Sequence, residues 1–115
     1  MRIEFTLDCS DLDRTARFWQ DAAGLAMTGT IEGRYVSLTG LGVHLTLQWV
    51  PQAKAGKNRM HIDLLVRDVE GEVVRLEALG AARLTPTAHH EFGQTWFVMT
   101  DPEGNEFCVA HDPDG

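Results

Sequence analysis

At 115 residues, with a formal net charge of −7 and an isoelectric point near 5.0, the chain is long enough for one domain with a self-sufficient core. It is too acidic for a nucleic-acid partner, which needs clustered Lys and Arg. Cys9 and Cys108 lie far apart and outside any CxxC spacing, so they predict free thiols in a reducing cytoplasm, and neither a signal segment nor a membrane span is apparent in the sequence.

Residues 3–9 alternate, with Ile3, Phe5 and Leu7 on one side and Glu4, Thr6 and Asp8 on the other, which predicts a strand with one core face. A helix follows. Ser10 or Asp11 can cap it, Leu12, Ala16, Trp19 and Ala23 recur at helical spacing, and Gly24 supplies a left-handed stop. A less regular strand is expected within 26–32, and Arg34 to Thr39 and Val43 to Val50 predict a hairpin through Gly40-Leu41-Gly42.

The polar stretch 51–58, with Pro51 and Gly56, reads as a linker. The pattern then begins again. His61, Asp63 and Leu65 alternate with Ile62, Leu64 and Val66; Asp68 can cap a helix with Val69, Val73, Leu76 and Leu79 as its apolar stripe, and Gly80 ends it. A strand near 82–85 and a loop through His89 and His90 lead to a second hairpin, Thr95 to Thr100 and Glu106 to His111, turned at Asp101-Pro102-Glu103-Gly104-Asn105.

Glu4 to His61, Asp11 to Asp68 and Trp19 to Leu76 are each 57 positions apart. Such a repeat predicts two βαβββ modules, residues 1–50 and 59–115, within one α+β domain. The expected architecture is a curved, mainly antiparallel sheet with its helices outside and a small-molecule cavity on the other face.

The run Lys57-Asn58-Arg59-Met60-His61-Ile62-Asp63-Leu64, then Val66-Arg67-Asp68-Val69 and Leu79-Gly80-Ala81, resembles the second-unit opening of glyoxalase-like proteins of the vicinal oxygen chelate superfamily. Trp96-Phe97-Val98-Met99 with Asp101-Pro102-Glu103-Gly104-Asn105-Glu106-Phe107 is similar to the hairpin that closes that unit, and Asp11-Leu12, Phe18-Trp19 and Gly24-Leu25 carry a looser likeness in the first half. The resemblance implies the glyoxalase/bleomycin-resistance fold, a cavity between the modules for a small organic ligand, and a homodimer. It specifies a fold better than a reaction, because isomerases, epimerases, dioxygenases, thiol transferases and drug-sequestering proteins are all similar to it.

In metal-dependent members, the first and last strands of each unit give one ligand apiece. Matched to this chain, these positions are Glu4, His61, Cys108 and Gln48, or Thr46 on the same face. A hard divalent ion would polarise a substrate carbonyl there. The set is poor for that purpose: Gln48 is a neutral donor, and Cys108 replaces the usual carboxylate and suits zinc better than magnesium or manganese. The cofactor reading is therefore either a divalent ion (Zn, Ni or Mn) or, as this donor set favours, none.

Without a metal, His61 beside Asp63 can serve as a general base or acid with Glu4, or can simply hydrogen-bond within a polar cavity floor. His44 can join either arrangement, while Tyr35 and Trp96 fall on the cavity side by parity and suit a planar ligand. His89 and His90 are adjacent and so point in opposite directions, which does not suit one ion. Trp19 and Leu76 are expected in the core. Three readings stand: a small-molecule-binding protein of undefined reaction, a metal-dependent lyase or isomerase of a carbonyl compound, and a non-catalytic resistance protein whose acidic surface draws in a cationic drug.

Overall fold

The structure is a computed structural model that describes residues 1–53, 55–56 and 59–115. Positions 54, 57 and 58, which belong to the expected linker and to the start of the second-unit motif, lie outside the described residues. The chain forms two compact units, one spanning Glu4–Met60 and the other His61–Gly115 together with Met1–Ile3.

The Glu4–Met60 unit holds β1 (Arg2–Cys9, its first two residues counted with the other unit), α1 (Leu12–Ala23), β2 (Ala26–Ile31), β3 (Tyr35–Gly40) and β4 (Val43–Trp49). The strand order is β2-β3-β4-β1, antiparallel except for the parallel pair β1–β4. Asp11 starts the helix. Its backbone is extended, its carboxylate accepts from the Arg14 N–H at 3.1 Å, and the Thr15 hydroxyl donates to its carbonyl at 2.7 Å. Gly24 stops the helix at φ +66°, a conformation that a Cβ would disfavour.

Leu12 and Ala16 pack with Cys9, Leu25, Val36, Leu38, Leu45 and Leu47, and Trp19 and Ala23 close the edge of this core as the helical spacing predicts. Ile3 does not join it. That side chain is half exposed, because the strand's buried face begins further along at Phe5 and Leu7.

The other unit repeats the plan with β5 (Met60–Val66), α2 (Val69–Ala78), β6 (Ala82–Arg83), β7 (His89–Glu91), β8 (Gln94–Thr100) and β9 (Glu106–His111). β5 and β9 run parallel, and β8 is antiparallel to β9, β6 and β7. Asp68 caps α2 by accepting from the Gly71 N–H at 3.0 Å. Val69 and Val73 bury against Val66, Phe97, Met99 and Val109, with Leu76 packed beside them. Leu79, expected in the apolar stripe, is instead 67% exposed because the helix ends at Ala78 and Leu79 caps it. Arg2 closes this unit through an ion pair with Asp112 at 2.6 Å.

The segment around His89 and His90 corrects the expectation of a loop. Residues 89–91 form a short strand that pairs with β8 through the two-residue turn Phe92-Gly93, whose φ angles of +52° and +74° are those of a tight hairpin. β6 is likewise shorter than expected. It pairs with the far end of the same strand, so β6 and β7 together occupy the sheet position that the uninterrupted β2 holds in the other unit. Pro86, which lacks an N–H for the ladder, falls in the gap between them. Each unit is thus a βαβββ module, with the second one's edge strand split. Among the described residues, no helix is long and apolar enough to cross a membrane.

Candidate functional site

Strand registers decide which side chains share a face. In the Glu4–Met60 unit, Thr6 lies opposite Thr46 and Ser37, Asp8 opposite Gln48 and Tyr35, and His44 opposite Thr39. These residues, with Glu4, occupy the side of the sheet away from the α1 core. The Thr46 hydroxyl donates to Glu4 Oε1 at 2.5 Å, and His44 Nε2 lies 3.7 Å from Glu4 Oε2. Glu4 and His44 side chains retain 15% and 21% of their exposure. Thr6 and Thr46 are buried although they lie outside the core cluster.

Gln48 is not brought to Glu4. It pairs at the level of Asp8, four residues along β1 from Glu4, a separation of about 13 Å at the ~3.3 Å rise of a strand. Thr46, the other position on that face, is the one that meets Glu4. The duplicated plan agrees: Thr6 opposite Thr46 corresponds to Asp63 opposite Cys108, so Thr46 is the counterpart of Cys108.

In the His61–Gly115 unit the face away from α2 carries His61 and Asp63 on β5, Cys108 and Ala110 on β9, Trp96 and Val98 on β8, and His89 on β7. His61 Nε2 stands 3.2 Å from Asp63 Oδ1, and one donor atom each from His61, Asp63 and Cys108 lie within 4.8 Å of one another. Asp63 is 8% exposed. Burial pushes the Cys108 thiol well above its ordinary range, and the charge of Asp63, a hydrogen bond to that carboxylate and the charge of Glu106 push it further. Cys108 is therefore a neutral thiol at physiological pH and not a ready nucleophile. Burial foremost raises the Cys9 thiol as well.

Trp96 and His89 stack with ring centroids 5.3 Å apart and planes inclined by 16°, while His89 Nε2 meets the Thr85 hydroxyl at 3.2 Å. His90, on the opposite side of the strand, pairs with the Thr95 hydroxyl at 3.0 Å. The sequence placed Trp96 by parity but missed its histidine partner. The signal was Phe92-Gly93, a weak one because Phe seldom adopts positive φ.

The donor set implied by the resemblance does not fit a hard divalent ion. Thr46 offers a hydroxyl already committed to Glu4, Gln48 lies far along the strand, and Cys108 offers a protonated sulfur beside Asp63. Magnesium and manganese prefer carboxylate, carbonyl and water oxygens.

Comparison with solved structures finds the same fold. A glyoxalase/bleomycin resistance protein/dioxygenase superfamily member from Vibrio splendidus matches with a TM-score of 0.68 at 22% identity, covering 96% of this chain and 98% of that one. A methylmalonyl-CoA epimerase variant from Streptomyces coelicolor, in complex with 2-nitronate-propionyl-CoA, matches with a TM-score of 0.73 at 20% identity and 97% of each chain. The methylmalonyl-CoA epimerase from Mycobacterium tuberculosis gives a TM-score of 0.73 at 16% identity, covering 95% of this chain and 86% of that one. No curated protein matches the sequence. The family model for the glyoxalase-like domain matches residues 4–110, from the first strand of the first module to the last strand of the second. By that match, and by a fold held in common with members of the vicinal oxygen chelate superfamily, this chain belongs to the glyoxalase-like domain family.

Proposed function

We propose that this protein binds a small organic molecule through the sheet faces that lie away from its helices. One observation carries the reading: Thr6, Thr46 and Asp63 are 4%, 8% and 8% exposed although each lies on the side of its sheet opposite the apolar core. A face that is polar, titratable and withdrawn from bulk water suits ligand recognition better than solvation. In the Glu4–Met60 unit Tyr35 offers a flat surface, with Glu4, His44, Thr46 and Gln48 as polar contacts on the same face; in the His61–Gly115 unit Trp96 and His89 offer flat surfaces, with His61, Asp63 and Cys108 as polar contacts.

A carbonyl-bearing, planar compound matches that mixture, and the fold shared with the Streptomyces protein makes acyl-CoA esters sensible first probes. The family model spans both modules, which supports treating them as one domain. The acidic composition and free thiols support a cytoplasmic setting, and the resemblance supports a homodimer.

Calorimetric titration of tag-free protein, kept in chelator, with acyl-CoA esters, aromatic carbonyl compounds and cationic aromatic drugs tests the reading. One ligand should bind per chain, with affinity falling at least ~10-fold in Trp96→Ala, as loss of an aromatic contact of ~1.4 kcal/mol requires. Binding indifferent to Trp96→Ala and to His61→Gln, or no binding by any compound, overturns it.

The contact between His61 and Asp63 favours a second reading, proton transfer next to a carbonyl, in which Asp63 orients the imidazole that takes the proton. Exchange of the ligand's α-proton in deuterated water, abolished by His61→Gln, is its signature. A bound ligand that exchanges no proton identifies sequestration instead.

A further inference from the structure

One row of side chains crosses the face of the His61–Gly115 unit that lies away from α2. His89 on β7 is the register partner of Trp96 on β8, Trp96 of Ala110 on β9, and Ala110 of Leu65 on β5. Register partners point to the same side of a sheet, so the row runs large, large, small, large. The Trp96 and His89 rings stack with centroids 5.3 Å apart and planes inclined by 16°, close to the ~4.8 Å between neighbouring strands, which turns their flat faces along the row. The second face of Trp96 is thereby turned toward β9, over the methyl group of Ala110. Beyond that notch stands Leu65, 7% exposed although it lies outside the core beneath α2. Trp96 and Ala110 both keep part of their exposure, so the notch is open. Two strand spacings, ~9.6 Å, separate the Trp96 and Leu65 walls. A planar group in contact with a wall on each side, at about 3.5–4.0 Å, needs ~7–8 Å, and the leucine methyls take up the remainder. A puckered ring is too thick to lie there as closely.

We propose that Ala110 sets the ligand selectivity of this face: the notch above it admits one planar aromatic group, which lies flat against Trp96. His89 is a positioning residue. It covers the far face of Trp96 and fixes the angle of that ring, and the Thr85 hydroxyl, 3.2 Å from His89 Nε2, holds the imidazole in turn. The inference rests on the small-molecule reading above and adds to it the shape of the group that is bound.

The test is calorimetric titration of the full chain with 2-acetylnaphthalene and with 2-acetyldecalin, its saturated counterpart, which keeps the carbonyl and loses the flat ring. The flat ketone should bind once per chain and ~2–12-fold more tightly than the puckered one, the worth of one aromatic contact beyond its area. Ala110→Leu fills the notch and should remove that preference, with Ala110→Val as a smaller addition that reduces it. His89→Ala should lower the preference and His89→Phe, which restores a ring against Trp96, should recover it, whereas a merely structural loss would weaken both ketones alike. Circular dichroism verifies that the variants fold. Equal affinity for the two ketones, no binding of the flat one, or a preference unchanged in both Ala110 variants overturns the proposal. The small-molecule reading fails separately, on the wider panel of compounds given above, so the two failures are told apart.

Discussion

Replacing Cys108 by serine removes a thiol held against a carboxylate, and its effect on stability is set by pH. In the folded chain burial, then Asp63, then Glu106 keep that thiol protonated, whereas the unfolded chain releases the proton with an ordinary value of 9.0. Above that pH the unfolded state binds fewer protons than the folded one, so unfolding becomes easier as pH rises. The stabilisation is complete below pH 9.0 and is lost progressively upward, until the folded thiol itself ionises. One proton corresponds to a slope of about 1.4 kcal/mol per pH unit, so about 1.4 kcal/mol is gone one unit above the unfolded value. Urea unfolding of both proteins in chelator, followed by circular dichroism from neutral pH to one or two units above 9.0, measures it. Their difference in stability should stay level below that point and then move toward Cys108→Ser along that slope. Subtraction cancels the lysines, the tyrosine and Cys9. A difference that stays level throughout refutes the reasoning, because it means the thiol ionises as readily in the fold as outside it.

Three further outcomes follow from the local structure. A Cβ at Gly71 would collide with the Asp68 carboxylate that caps α2; Gly71→Ala should therefore not stabilise the wild type, yet should add ~0.8–1 kcal/mol in an Asp68→Ala background, as a double-mutant cycle by urea unfolding would reveal. Phe97→Ala, at a side chain 2% exposed, should cost ~3–5 kcal/mol by the same assay. Asp11→Ala removes the acceptor of the Arg14 N–H and should cost ~0.5–2 kcal/mol, lowering the thermal midpoint without abolishing the fold.

Sequence patterning carried most of the architecture, since helix caps and strand alternation are local. Asp11, Gly24 and Asp68 sit where their chemistry places them, and Leu41-Gly42 makes the expected tight turn. The site was less legible because it depends on register between strands distant in the chain. The first strands repeat at 57 positions, but Thr46 to Cys108 is 62, and the shift accumulates in the broken edge and the longer second hairpin. No periodicity marks such insertions, so Gln48 stood first, with Thr46 as its alternative on the same face, until the pairing with β1 was known. Likewise, parity set His61 beside Asp63, but only the β5–β9 register reveals that Asp63 also faces Cys108.

The interruption between β6 and β7 has a consequence for how this chain tolerates change. Two stubs hang from β8, bridged by 84–88, while the β8–β9 pairing runs unbroken behind them. Extra residues inserted at that gap need not disturb the ladder that fixes Trp96 and Cys108. It is accordingly a place where new loops can be grafted at little expense to the scaffold.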